Sequence, residues 1–115
     1  MDERLEKAFQ TANYMTTLSN QRKVILEEFQ QSLIYYFQGA SFTIDRNLIT
    51  FISTLVARDT TVAVVLDDNN IPVEIPDLKT LLDEIISIYF SATNDYLVKY
   101  NQIKTKRRVG DLMAL

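Results

Sequence analysis

The chain has 115 residues, 47 % of them hydrophobic, with six Tyr and six Phe, which is the composition of a folded chain and not of a disordered one. It has no Cys and no His, which excludes disulfides and thiolate metal sites and removes the commonest general acid/base and the commonest metal ligand. Twelve basic side chains against fifteen acidic ones leave a net charge of −3.

The length suits one domain with a real core. Two Gly and two Pro are little punctuation, so the elements should be long. The expectation is an α+β, mostly helical domain over residues 1–109, followed by a tail over 110–115. Its elements are a long N-terminal helix or helical hairpin, a short helix, a β-hairpin over 61–75 and a long C-terminal helix.

Residues 2–38 read as helix. Leu5, Ala8, Ala12 and Met15 are spaced three, four, three, and Leu26, Phe29, Leu33 and Tyr36 repeat the spacing in the same heptad frame. Ser19 and Arg22 fill the positions between. One reading is a single helix with a polar layer. The other is two helices broken at Leu18-Ser19-Asn20. Gly39 fits a C′ residue that ends the helix in the left-handed region.

Ser41 to Ile44 is a short extended piece. Asp45 is a good N-cap for a helix over Arg46 to Ala57, with Leu48, Phe51, Ile52 and Leu55 on its apolar face. Arg58-Asp59-Thr60 is a loop. Thr61 to Leu66 is dense in β-branched residues, Asp67-Asp68-Asn69-Asn70 is turn chemistry, and Ile71 to Ile75 alternates with Ile71, Val73 and Ile75 on one face. Together these make a hairpin. Pro72 has no donor, so its outward side should be a sheet edge. A lone two-stranded hairpin is marginal in water, so it should lie on helices, with the Phe42 segment available as a third strand.

Asp77 caps the last helix, which should run to about Arg107. Leu78, Leu82, Ile85, Tyr89, Ala92, Tyr96 and Ile103 follow a heptad spacing, and Leu81, Ile86, Ile88, Phe90 and Leu97 form a second apolar face. A helix apolar on two faces is central to its domain or shared with a partner.

Little in the chain carries reaction chemistry. The acidic turn lacks the alternate ligands, central Gly and distal Glu of a calcium-binding loop, so it reads as an ordinary polar turn. Glu27-Glu28 and Asp83-Glu84 are neighbours on helices. They point about 100° apart and cannot act as an acid/base pair. No nucleophile elbow, phosphate loop or dinucleotide fingerprint is present. The expectation is no enzyme, no catalytic residue, no metal and no cofactor.

Charge is distributed unevenly. Lys99, Lys104, Lys106, Arg107 and Arg108 stand in a segment, 99–115, that holds a single acidic residue. They suit contact with nucleic acid or an acidic partner, or they complement the C-terminal end of the helix dipole. Asp111, Leu112, Met113 and Leu115 form an apolar tail that fits a partner's groove or packs back. The heptads of the first and last helices favour a homo-oligomer through a face of Leu5, Met15, Leu26, Phe29, Leu33, Tyr36, Tyr89 and Tyr96. Apolar runs reach only four to five residues, too short to span a membrane, and Met1-Asp2-Glu3-Arg4 lacks the apolar segment of a signal peptide. No membrane association is expected.

The stretch from Gln21 to Val109 resembles a family of small uncharacterised proteins of T4-like tailed phages of marine bacteria. The residues that carry the resemblance are Leu33-Ile34-Tyr35-Tyr36-Phe37-Gln38-Gly39, Phe42-Thr43-Ile44, Leu66 to Val73, Ala92 to Tyr96 and Lys104 to Val109. The order of acidic turn, Pro-Val strand, polar cap and long helix is similar to modules of phage tail and tail-assembly proteins. The resemblance implies a phage origin, a virion or assembly role, other phage proteins as partners, and a location in the host cytoplasm or the virion. It carries no site residues. The first expectation is a structural or assembly protein working by protein–protein contact as a helical oligomer. The alternative is an adaptor of the phage replication or transcription machinery, with the basic helix end on nucleic acid and the tail as a docking peptide.

Overall fold

The computed structural model describes residues 2–114, and the side chains of residues 2–105. Seven elements follow in order: α1 (Glu3–Ser32), β1 (Ile34–Phe37), β2 (Ala40–Thr43), α2 (Arg46–Ala57), β3 (Ala63–Leu66), β4 (Pro72–Ile75) and α3 (Leu78–Ala114). The fold is α+β and mostly helical. The chain divides into two units, one of residues 1–29 with 94–115, the other of residues 30–93.

In the first unit α1 runs through Ser19 without a break, so the one-helix reading holds up to Ser32. Thr16 and Thr17 return their hydroxyls to the carbonyls of Ala12 and Asn13, each at 2.9 Å, which satisfies these polar groups without interrupting the helix. The buried residues here are Leu18 of α1 and Ile103 of α3. Phe29 and Tyr96 join the two helices with ring centroids 4.9 Å apart, and Tyr100 lies 6.3 Å beyond Tyr96. The Arg22 guanidinium sits 6.0 Å from the Tyr100 ring, so the polar layer of the heptad packs on an aromatic face.

The second unit corrects the expected end of the first helix. Residues 33–38 are not helical. Ile34–Phe37 is a strand paired antiparallel with Ala40–Thr43, Phe37 opposite Ala40 and Ile34 opposite Thr43. Gln38 and Gly39 form the two-residue turn with φ of 49° and 79°. Two positive φ values in succession mark a type I′ turn, whose twist matches that of the strands. Gly39 therefore ends no helix. It closes a hairpin, and the aromatic, β-branched run before it outweighs the heptad. Leu33 and Tyr36 accordingly leave the helical stripe.

The second hairpin pairs Ala63 with Ile75, Val65 with Val73 and Leu66 with Pro72. The Asp67 amide donates to the Ile71 carbonyl at 2.9 Å, so that position is hydrogen-bonded in the ladder and the next, Leu66 with Pro72, is not. The missing N–H of Pro72 thus costs the ladder nothing. Val73 and Ile75 are buried, but Ile71, which leaves the Asp67–Asn70 turn, is exposed. The Phe42 segment does not become a third strand of this sheet. The two hairpins are separate two-stranded sheets.

Both expected caps form. The Asp45 carboxylate accepts from the Leu48 amide at 2.7 Å, and Asp77 accepts from the Thr80 amide at 3.2 Å. α2 ends in a Schellman motif: the Thr60 amide donates to the Leu55 carbonyl and the Asp59 amide to that of Val56, with Asp59 at φ 61°. The Leu78 amide donates to the Thr61 carbonyl at 2.9 Å, tying the start of α3 to the entry of the second hairpin. Ile44, Ile52, Ile75, Leu78 and Ile85 form the most deeply buried part of this unit.

Candidate interaction surfaces

The acidic turn does more than reverse the chain. Asp67 is 5 % exposed. Its Oδ1 accepts from the amides of Asn69 and Ile71, both at 2.8 Å, and its Oδ2 from the Ser41 amide at 3.4 Å. The Ile71 amide, partly opposed by burial and helped by the amides of Asn69 and Ser41, holds the Asp67 carboxyl below its ordinary pKa. Asp68 continues the seam. Its amide donates to the Ser41 carbonyl at 2.9 Å, its Oδ1 accepts from the Thr43 amide at 3.0 Å, and its Oδ2 accepts from the Thr43 hydroxyl at 2.8 Å. Ser41 and Thr43 face outward from their ladder, because the Ile44 amide bonds Leu33 and fixes the alternation. The Asp67-Asp68 turn therefore closes the free edge of β2.

No such cover protects β3. The run Val62 to Leu66 is apolar on both parities. Ala63 and Val65 turn inward, while Val62, Val64 and Leu66 line the outer face at 48 %, 62 % and 58 % exposure. Among the described residues, no hydrogen bond outside the ladder engages Val64 or Leu66. Sequence reasoning caught the strand and missed this face. Its signal is the five-residue run itself, since a strand with one wet side alternates apolar with polar residues.

In the same unit, β1 carries Tyr35 to α3, where its hydroxyl donates to the Glu84 carboxylate. That hydrogen bond, reinforced by burial and by the negative charge of Glu84, pushes the Tyr35 pKa up to about 12. A shallow depression of about 450 Å³ beside it is lined by Tyr35, Thr80, Asp83, Glu84, Ser87 and Ile88. Glu84 thus has a specific partner.

In the first unit Lys99 is engaged by acids. Its Nζ lies 2.9 Å from Glu28 and 3.0 Å from Asp95. These bonds, Glu28 first, raise its pKa. Of the expected basic cluster, Lys99 is therefore charge-balanced and Lys104 is exposed. Lys106, Arg107, Arg108, Asp111, Leu112, Met113 and Leu115 lie outside the described side chains, but the backbone of α3 runs on to Ala114, past the expected end near Arg107 and through Gly110, so the expected separate tail is helical up to that residue.

The expected oligomer face is dispersed. Leu5, Met15 and Leu26 are exposed on α1, Phe29 and Tyr96 are half-buried against each other, and Tyr89 is half-buried on α3. Leu33 is buried beyond the end of α1, and Tyr36 stands on β1 at 72 % exposure. Among the described residues, no group of three or more acidic side chains is placed to hold a metal ion, and no helix is long and apolar enough to cross a membrane. No protein-family model, curated protein or solved structure matches the chain.

Proposed function

We propose that this chain is a non-enzymatic protein that works by protein–protein contact as a helical oligomer, serving in the virion of a tailed phage or in its assembly. The observation that carries the contact reading is the exposure of Leu5, Met15 and Leu26 on α1. The helix buries Leu18 instead, and turns its half-buried Ile25 and Phe29 the same way. Leu5, Met15 and Leu26 are left as apolar side chains that its own unit does not bury. Large apolar side chains aligned on one helix are a common form of protein contact surface. The phage setting rests on the resemblance over Gln21 to Val109.

The test has two parts. Light scattering of the purified chain should give a mass above that of the monomer, and Leu5→Lys with Met15→Lys should lower it. Mass spectrometry should find the protein in virions or assembly intermediates of the phage that encodes it. A strict monomer absent from both would overturn the proposal.

A further inference from the structure

We infer that the free edge of β3 is a self-pairing site, at which a second copy of this chain adds its own β3 antiparallel to form a four-stranded sheet. This surface lies on residues 62–66 and uses no residue of α1, so it stands or falls separately from the helical contact proposed above. Three observations lead to it.

The ladder alternation turns the N–H and C=O groups of Val64 and Leu66 away from β4, and no other described hydrogen bond takes them. An open edge of this kind is a template for another strand. Two neighbouring edges are closed by their chemistry. The turn carboxylates of Asp67 and Asp68 occupy that of β2, and β4 offers a proline and a charged Glu74. β1 also has an outer edge, but Tyr36 is its only exposed side chain, whereas β3 presents Val64 and Leu66, with exposed Val62 just before them.

The register then favours a copy of itself. With Val64 opposite Val64 of the second copy, Val62 falls opposite its Leu66, so every facing pair is apolar. No charged residue lies between Thr60 and Leu66 to oppose the pairing. The arrangement is two-fold and closes on itself, giving a dimer and not a fibre. The edge is short, so the dimer should be weak and strongly concentration-dependent.

The experiment is amide hydrogen exchange of the full chain over a range of concentrations, together with sedimentation of the Val64→Pro variant. Protection of the Val64 and Leu66 amides should rise with concentration while that of Val65, already in the ladder, changes little. Val64→Pro, which removes the central donor, should weaken self-association about tenfold or more. Should that variant fail to fold, the exchange measurement on the unaltered chain decides alone. Exchange at Val64 and Leu66 that is independent of concentration overturns the inference. So does a dimer lost in Leu5→Lys with Met15→Lys but kept in Val64→Pro, which leaves the helical contact standing. Protection that arises only on adding an uncharged β-branched peptide, with the chain alone monomeric, assigns the edge to a foreign strand and also overturns it.

Discussion

Asp68 holds Thr43 twice, its Oδ1 3.0 Å from the amide nitrogen and its Oδ2 2.8 Å from the hydroxyl. Two short hairpins, each marginal alone, are thereby joined through a turn instead of through a shared ladder. Asp68→Ala should release the Thr43 amide, seen as faster hydrogen exchange there with little change at Val65. Equal exchange in the variant and the parent would mean that the bond does not hold in solution.

Asp67 adds a pH dependence to the same seam. Its folded pKa lies below the ordinary Asp value, so the stability it contributes is present above the unfolded pKa of about 3.9 and is lost as pH falls through the lower folded one. Thermal unfolding followed downward from neutral pH should therefore steepen below about pH 4. Asp67→Asn should flatten that part of the curve and lower the neutral-pH midpoint more than Asp68→Asn does, because Asp67 is buried and holds three amides. An Asp67→Asn curve parallel to the parent's would refute the assignment.

The C′ position of α2 is occupied by Asp59 at φ 61°, where glycine is unstrained. A left-handed non-glycine residue costs about 1–2 kcal/mol, less for Asp than for most. Part of the gain on replacing it is offset by the freedom glycine has in the unfolded chain. Asp59→Gly should stabilise the protein by roughly 0.5–1 kcal/mol, a rise of a few degrees in Tm. A fall in Tm would show that the Asp59 side chain makes a contribution of its own.

Caps and helix faces were the most legible parts of the sequence. Asp45, Asp77 and the Arg46–Ala57 helix act within one or two turns, so local chemistry decides them. The Leu78, Ile85, Ala92 and Ile103 face was legible for the same reason, since a periodic stripe on a long helix needs only a partner to cover it. Leu33 to Phe37 was misread because its apolar spacing satisfies the heptad and the strand alike. What separates them is a turn of only two residues, Gln38 and Gly39, and a partner strand just beyond it. The acidic turn was recognised as a turn, but its bonds to Ser41 and Thr43 join residues more than twenty positions apart, which no local pattern encodes. The open β3 edge was missed because pairing of Val65 with Val73 uses only one side of the strand.

The first hairpin turn offers a direct check of that correction. No heavy atom outside its immediate neighbours would meet a Cβ at Gly39, so its φ of 79° alone demands glycine. Gly39→Val should cost about 1–2 kcal/mol or more, as the left-handed strain of a β-branched residue. Gln38→Asn, which supplies the favoured Asn-Gly pair of a type I′ turn, should instead stabilise. Urea unfolding of both variants measures this. Tolerance of Gly39→Val without loss would mean that Gly39 holds no left-handed φ in solution, and the type I′ turn would fall with it.

Tyr35 gives the hairpin an alkaline signature. Its hydroxyl proton is held by Glu84, and its pKa of about 12 stands above the value of about 10 for a free tyrosine. A raised folded pKa contributes stability that is fully present below the unfolded value and is lost as pH rises through the folded one. The window for this loss is therefore about pH 10 to 12. Phenolate absorbance of the folded protein should show a late-titrating component near pH 12 that disappears in Tyr35→Phe. Glu84→Gln, which keeps an acceptor but removes the charge, should shift that component back toward 10. If the late component survives in Tyr35→Phe, another group is responsible and the β1–α3 hydrogen bond is not the one that holds Tyr35 protonated.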